Sequence, residues 1–216
     1  MTLRNSNSRE TRLVPSLKFS TDTVRPAEQF DAWSAFNSMA ELEAVAPPAE
    51  GFKASSASYH LGGLQLTSFQ LAPMNVHYTR NVQCRLGLDH WCLSVTTKGP
   101  VGYQNSDNEV AVSPGNLLLH SYANPFSGVM ENTHYSSLFF ARDDFWDIAE
   151  HLERGAHQLV QGPMAQIVRD FILSMITRAD GLTMADAPAL SEAFGNLIRA
   201  LVINNPASLE AARAPI

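Results

Sequence analysis

Ser113-Pro114-Gly115-Asn116-Leu117-Leu118-Leu119-His120 is the stretch from which the fold is read. Proline fixes φ and glycine accepts φ > 0, so Pro114-Gly115 makes a tight turn. The three leucines that follow are a short apolar run, the mark of a buried strand. Residues 109–112, just ahead of the turn, form a second short strand. The Pro-Gly corner therefore joins two strands, and similar units lie on both sides of it.

Between residues 52 and 142 the chain keeps this texture. Strands are expected over 52–60, 64–71, 74–80, 91–97, 101–105, 109–112, 117–120, 126–130 and 135–141. The connections carry turn chemistry: Gly62-Gly63, Lys98-Gly99-Pro100, Asn105-Ser106-Asp107-Asn108 and Pro114-Gly115. Short strands at this spacing predict a barrel or sandwich, not alternating strand-helix units.

Helical periodicity brackets this region. Residues 26–40 open with Pro26 and repeat Phe30, Trp33 and Phe36 at helical spacing. The Pro47-Pro48 loop closes that helix. A second helix is expected over 143–153. A third follows Gly162-Pro163, over about 163–179, with a stripe of Met164, Ile167, Val168, Phe171, Ile172, Met175 and Ile176. A fourth, over about 187–203, carries Leu190, Phe194, Leu197, Ile198 and Leu201, and Asn204-Asn205-Pro206 breaks it. The fold class is α+β: an antiparallel β-barrel or jelly roll with an N-terminal helix and C-terminal helices. Residues 1–16 read as a flexible lead-in.

With 216 residues and 45% hydrophobic side chains, the chain can build a core of ordinary size. Charged residues are only 17%, which suggests apolar faces hidden against a partner. The net charge of −6 and the lack of a basic run argue against direct binding to a phosphate backbone. Cys84 and Cys92 read as two free thiols rather than a disulfide framework. Nothing resembles a signal peptide or a membrane span, so a cytoplasmic location is expected.

Seven histidines are scattered without a His-x-His or His-x-x-x-His pair, and there is no Cys-x-x-Cys. No metal or cofactor site is therefore expected. No nucleophile elbow, phosphate loop or dinucleotide fingerprint occurs, so no catalytic residue is assigned. Tyr78, Trp91, Tyr103, Tyr122, Phe126, Phe139 and Phe140 lie in the β region. Some of these will be core, but a small barrel can also hold one ligand among such rings.

Pro114-Gly115-x4-His120-x3-Asn124 resembles the second signature of the cupin superfamily. The histidine pair of the first cupin signature is missing around Asp89-His90-Trp91-Cys92. Phe19-Ser20-Thr21-Asp22-Thr23, followed by Pro26-x-Glu28-x-Phe30-Asp31-Ala32-Trp33, is similar to the opening of the effector-binding domain of AraC-family transcription regulators. Leu61-Gly62-Gly63-Leu64, Asp89-His90-Trp91-Cys92-Leu93-Ser94-Val95 and Ser113-Pro114-Gly115-Asn116-Leu117 resemble later segments of that domain in the same order. Ser113 and Asn116 stand where the family usually has Gly and Asp.

The resemblance implies a cupin-like barrel over 17–142 that binds a small-molecule effector. It implies a helical dimerisation segment over 143–205 and the start of a linker over 206–216. DNA would be met only through a helix-turn-helix domain, for which the ten residues after Pro206 leave no room. The residues expected to line the ligand site are Tyr78, Trp91, Tyr103 and His120, with Arg80 as an anion partner. Phe171, Met175, Phe194, Leu197 and Leu201 are expected at a homodimer contact, since Ile172, Ile176 and Val202 widen the stripes beyond one helix pairing. The alternatives are a cupin-type metal-dependent dioxygenase or isomerase, and an interaction domain whose barrel is filled by its own side chains.

Overall fold

Leu117 and Leu119 point to one side of their strand and Leu118 to the other, yet all three are buried. A strand hidden on both faces lies between two layers. The computed structural model describes residues 12–204. The expected linker and most of the lead-in lie outside them.

The strands are β1 (Ser16–Ser20), β2 (Glu41–Ala44), β3 (Ala54–Leu61), β4 (Leu64–Leu71), β5 (Met74–Tyr78) and β6 (His90–Lys98). They continue as β7 (Val101–Gln104), β8 (Glu109–Val112), β9 (Leu117–Ser121), β10 (Phe126–Met130), β11 (Thr133–Ala141) and β12 (Gln158–Val160). The helices are α1 (Gln29–Phe36), α2 (Arg80–Leu86), α3 (Ala149–Arg154), α4 (Pro163–Arg178) and α5 (Ala187–Asn204).

Two antiparallel sheets face each other without closing into a barrel. One has seven strands in the order β1-β3-β4-β11-β6-β9-β12, the other five in the order β2-β5-β10-β7-β8. The expected α+β jelly roll is present as a two-sheet sandwich, and the barrel does not close. The seven-stranded sheet carries the helices on its outer face. Leu61, Leu66, Trp91, Leu93, Val95, Leu117, Leu119, Leu138 and Phe140 meet Val168, Ile172, Met175, Phe194, Ile198 and Leu201 there in one core cluster. Its inner face looks toward the five-stranded sheet, whose own outer face is open to solvent at Asn75, His77, Gly102, Gln104 and Val129.

Several elements differ from the sequence reading for local reasons. The strand expected to run to Arg80 stops at Tyr78, because the Thr79 side chain accepts from the Val82 amide and caps α2. The lead-in orders before residue 16: Leu13 bridges Thr183, Val14 is buried, and β1 pairs with β3. Only Gln29–Phe36 of the first expected helix is α-helical, after a 3-10 turn at Pro26–Glu28. The expected 143–153 helix is a 3-10 segment, Arg142–Ile148, leading into α3, with a break at Phe145 (φ −134°, ψ 29°). At the β6–β7 turn, Gly99 has φ +69° and sits against the carbonyls of Glu131 and Asn132, where no Cβ fits.

Candidate functional site

The sandwich encloses a cavity, and strand alternation decides which side chains face it. From the seven-stranded sheet come Ser94 and Thr96 of β6, Tyr135, Ser137 and Phe139 of β11, and Leu118 and His120 of β9. The five-stranded sheet supplies Met74, Val76 and Tyr78 of β5, Val101 and Tyr103 of β7, and Phe126, Gly128 and Met130 of β10. Phe69 of β4, Val112 of β8, Tyr122 and, from the loop after α1, Asn37, Met39 and Ala40 complete the lining, and Arg85 Nη2 donates to the Ser38 carbonyl at 2.9 Å to hold that loop. About 90 Å3 is open to the centres of water-sized groups. At about 10–15 Å3 per water on this measure, several such groups fit together.

Rings form one wall. Tyr78 stacks on Phe126 at 5.1 Å, and Tyr103 stacks on the same Phe126 at 5.3 Å. His120 stands edge-on to Tyr103 at 4.9 Å. Phe69 and Tyr135 stack at 4.7 Å elsewhere in the lining. Polar groups are few. The Ser94 and Ser137 hydroxyls pair at 2.8 Å, and the Tyr78 hydroxyl donates to the Tyr122 carbonyl at 3.2 Å. Behind the wall, the Tyr103 hydroxyl is hydrogen-bonded to His157 Nδ1.

The lining is uncharged near neutral pH. Burial, with His157 nearby, pushes His120 down to about 3. Burial pushes His157 down to about 4, against the pull of Glu153 and Asp107. The phenols of Tyr103, Tyr122 and Tyr135 are raised, chiefly by burial, and keep their protons. Burial also pushes the Cys92 thiol, behind Ser94, up to about 12. Among the described residues, His120 Nδ1 is buried with no hydrogen-bond partner. No group of three His, Cys, Asp or Glu side chains among them converges as a metal site would require.

Of the residues expected to line a ligand site, the fold brings Tyr78, Tyr103 and His120 together in the cavity wall. Trp91 lies on the other face of β6, under the helices. Its indole Nε1 donates to Glu153 Oε2 at 3.2 Å, and the Arg142 guanidinium stands 4.3 Å over its ring. Arg142 also bonds Glu153 Oε2 at 2.6 Å and Ser121 Oγ at 2.7 Å, and pairs with Asp89. Arg80 opens α2 on the surface. Ser94, Ser137 and Tyr135 line the cavity without having been singled out. Serine on a strand reads as solvent-facing, and only pairing β6 with β11 shows otherwise.

The positions expected at a dimer contact divide. Met175, Phe194 and Leu201 are buried within the chain's own helix-sheet core, whereas Phe171 and Leu197 are only partly covered. Ile167 on α4 is 49% exposed. No helix of the described residues is long and apolar enough to cross a membrane.

No known family's sequence pattern matches the chain, and no curated protein matches it by sequence. Solved structures do match. The AraC-like transcriptional activator CuxR superposes with a TM-score of 0.80 at 19% identity, over 88% of this chain and 70% of that one. An RmlC-like cupin protein from Desulfovibrio desulfuricans gives a TM-score of 0.30 at 14% identity, over 39% of this chain and 77% of that one. The cupin domain of an XRE-family transcriptional regulator from Enterobacter cloacae gives 0.30 at 14%, over 36% and 81%. At such identities the likeness is one of fold: the chain shares its two facing antiparallel sheets and the helices packed on them with the matched part of an AraC-like activator.

Proposed function

We propose that this chain is the ligand-sensing and dimerisation part of a cytoplasmic AraC-type transcription regulator, and not an enzyme. The observation that carries the reading is the partly enclosed, uncharged cavity between the two sheets, in a fold shared with an AraC-like activator. A packed scaffold does not keep such a space, since cavities lower stability. The unpaired Nδ1 of His120 is a second cost of the kind binding sites carry. The effector enters between the sheets, and α4 and α5, packed on the other face of the same strands, pair with a second copy. Contact with DNA is left to a helix-turn-helix domain, because a net charge of −6 gives these residues little hold on phosphates.

Native mass spectrometry of gently purified protein tests the sensor reading. A small molecule retained by the wild type and lost in Ser137→Phe, which fills the cavity, supports it. Bare protein in both, with no probe able to saturate the cavity, refutes it. Stoichiometric iron, manganese or zinc lost on replacing His120 would move the assignment to a cupin-type dioxygenase or isomerase.

A further inference from the structure

We infer that the cavity takes a small uncharged molecule with an apolar, ring-sized body and one or two hydroxyl or carbonyl groups, the chemistry of a simple phenol. The inference rests on the sensor reading and names the class of ligand. Every cavity-lining residue lacks a formal charge, and His120 is held neutral. A carboxylate or phosphate would leave water with no Lys or Arg to meet it, a costly transfer. A cation fares no better. Cation–π attraction from the rings is reduced, because Phe126 stacks with both Tyr78 and Tyr103, and Phe69 with Tyr135, which takes one face of each outer ring. No carboxylate replaces them. A sugar would bury many hydroxyls against Met74, Val76, Val101, Val112, Leu118 and Met130, which bond none of them.

What the wall offers instead is local. The Ser94–Ser137 hydroxyl pair can both donate and accept, so it suits a phenol, an alcohol or a carbonyl. It lies on adjacent strands in direct register, Ser94 opposite Ser137, so the two oxygens hold one fixed point in the cavity. Apart from Asn37, Thr96, His120 and the tyrosine hydroxyls, the rest of the lining is aliphatic, thioether or aromatic and accepts a flat apolar body by shape.

Calorimetric titration of the whole chain at pH 7 with four probes decides this: 4-methylphenol, 4-methylbenzoate, choline and xylose. Expected is saturation by 4-methylphenol at one per chain, with each other probe at least tenfold weaker. Toluene serves as the control for the hydroxyls. The wild type should prefer 4-methylphenol to toluene, and the small-volume double variant Ser94→Ala, Ser137→Ala should lose most of that preference while still binding toluene. A charged probe or xylose that saturates as tightly, and is excluded by Ser137→Phe, overturns the ligand class and leaves the sensor reading standing. No saturation by 4-methylphenol also overturns it, and the mass-spectrometric recovery then decides the sensor reading alone. An unchanged preference in the double alanine variant removes the serine pair from the account.

Discussion

The Tyr103 hydroxyl and the Nδ1 of His157 hydrogen-bond across the sandwich, and their rings stack at 5.5 Å with 19° between planes. Tyr103 belongs to β7 of the five-stranded sheet. His157 precedes β12 at the edge of the seven-stranded sheet, held in the left-handed region at φ +63° while its amide donates to the Leu119 carbonyl at 2.6 Å. One bond thus ties the cavity wall to the segment that leads into α4.

Removing that tie leaves a buried ring nitrogen unpaired. Tyr103→Phe should lower unfolding free energy by about 1–3 kcal/mol, the cost of an unsatisfied buried polar group. His157→Ala should lower it by a similar amount. A double-mutant cycle in urea should show the two effects to be strongly non-additive. Additive losses would mean the bond contributes nothing of its own.

The leucine run can be tested from both sides of its sheet. Leu119 packs under the helices with Leu93 and Phe140, and Leu118 packs toward the five-stranded sheet with Val101, Tyr103 and Val112. Leu119→Ala should cost about 2–5 kcal/mol. Leu118→Ala borders existing empty space, so it should cost less and enlarge the cavity between the sheets. Chemical denaturation compares them, and equal losses would argue against an open cavity beside Leu118.

How much of this was legible depends on how many faces of each strand are covered. In β7, Val101 and Tyr103 are buried and Gly102 and Gln104 exposed, so simple alternation turns Tyr103 inward. In β6, residues 91–96 are buried on both faces, and no alternation tells Trp91's side from that of Ser94. The two-layer burial that makes Leu117-Leu118-Leu119 an easy strand to recognise also hides the direction of Trp91. Arg80 follows a residue able to start a helix, Thr79, and Gly87 at φ +59° ends it; that cap pair was the available signal. The wide stripes of α4 and α5 are explained in part within the chain, because each helix buries one side on the sheet and another on its neighbour.

Acid should weaken the fold before its carboxylates titrate. His120 and His157 are pushed down to about 3 and about 4, mainly by burial. In the unfolded chain both titrate near the ordinary value of about 6.5. Between those values the unfolded chain binds more protons than the folded one, so their destabilising effect is absent above about pH 6.5 and grows as pH falls toward 4. Each histidine adds a slope of up to about 1.4 kcal/mol per pH unit in that window. Urea midpoints at pH 7 and pH 5 should differ accordingly, and His120→Leu should flatten the difference by roughly half. Asp147, Asp180 and Asp186, each held low by a partner, lose their contributions only further down in pH. A midpoint constant from pH 7 to 5 would contradict the neutral burial of both rings.

The proposed homodimer would use the faces of α4 and α5 that point away from the sheet. Met175, Phe194 and Leu201 are spent inside the chain, which leaves Ile167 and partly covered Phe171 on α4, and Ile203 and partly covered Leu197 on α5, among the apolar groups on the outside. Ile167 and Phe171 are four residues apart and so share one face of α4. A stable symmetric contact needs roughly 1,000 Å2 of buried surface in total, more than these few side chains supply, so the polar rim around them must take part. In a symmetric dimer the patch would meet its own copy, so a single Ile167→Glu would place two carboxylates in one interface. Light scattering at high micromolar concentration should report twice the chain mass for the wild type and a clear shift toward one chain for Ile167→Glu. The thermal midpoint of the variant measured as monomer should hardly move, since Ile167 is half exposed and contributes little to the core. Leu197→Glu should dissociate the dimer too, but with a loss of fold stability, because Leu197 also packs on the helix-sheet core. A wild type that stays at the mass of one chain would refute the dimer and leave α4 and α5 as the outer layer of the sandwich.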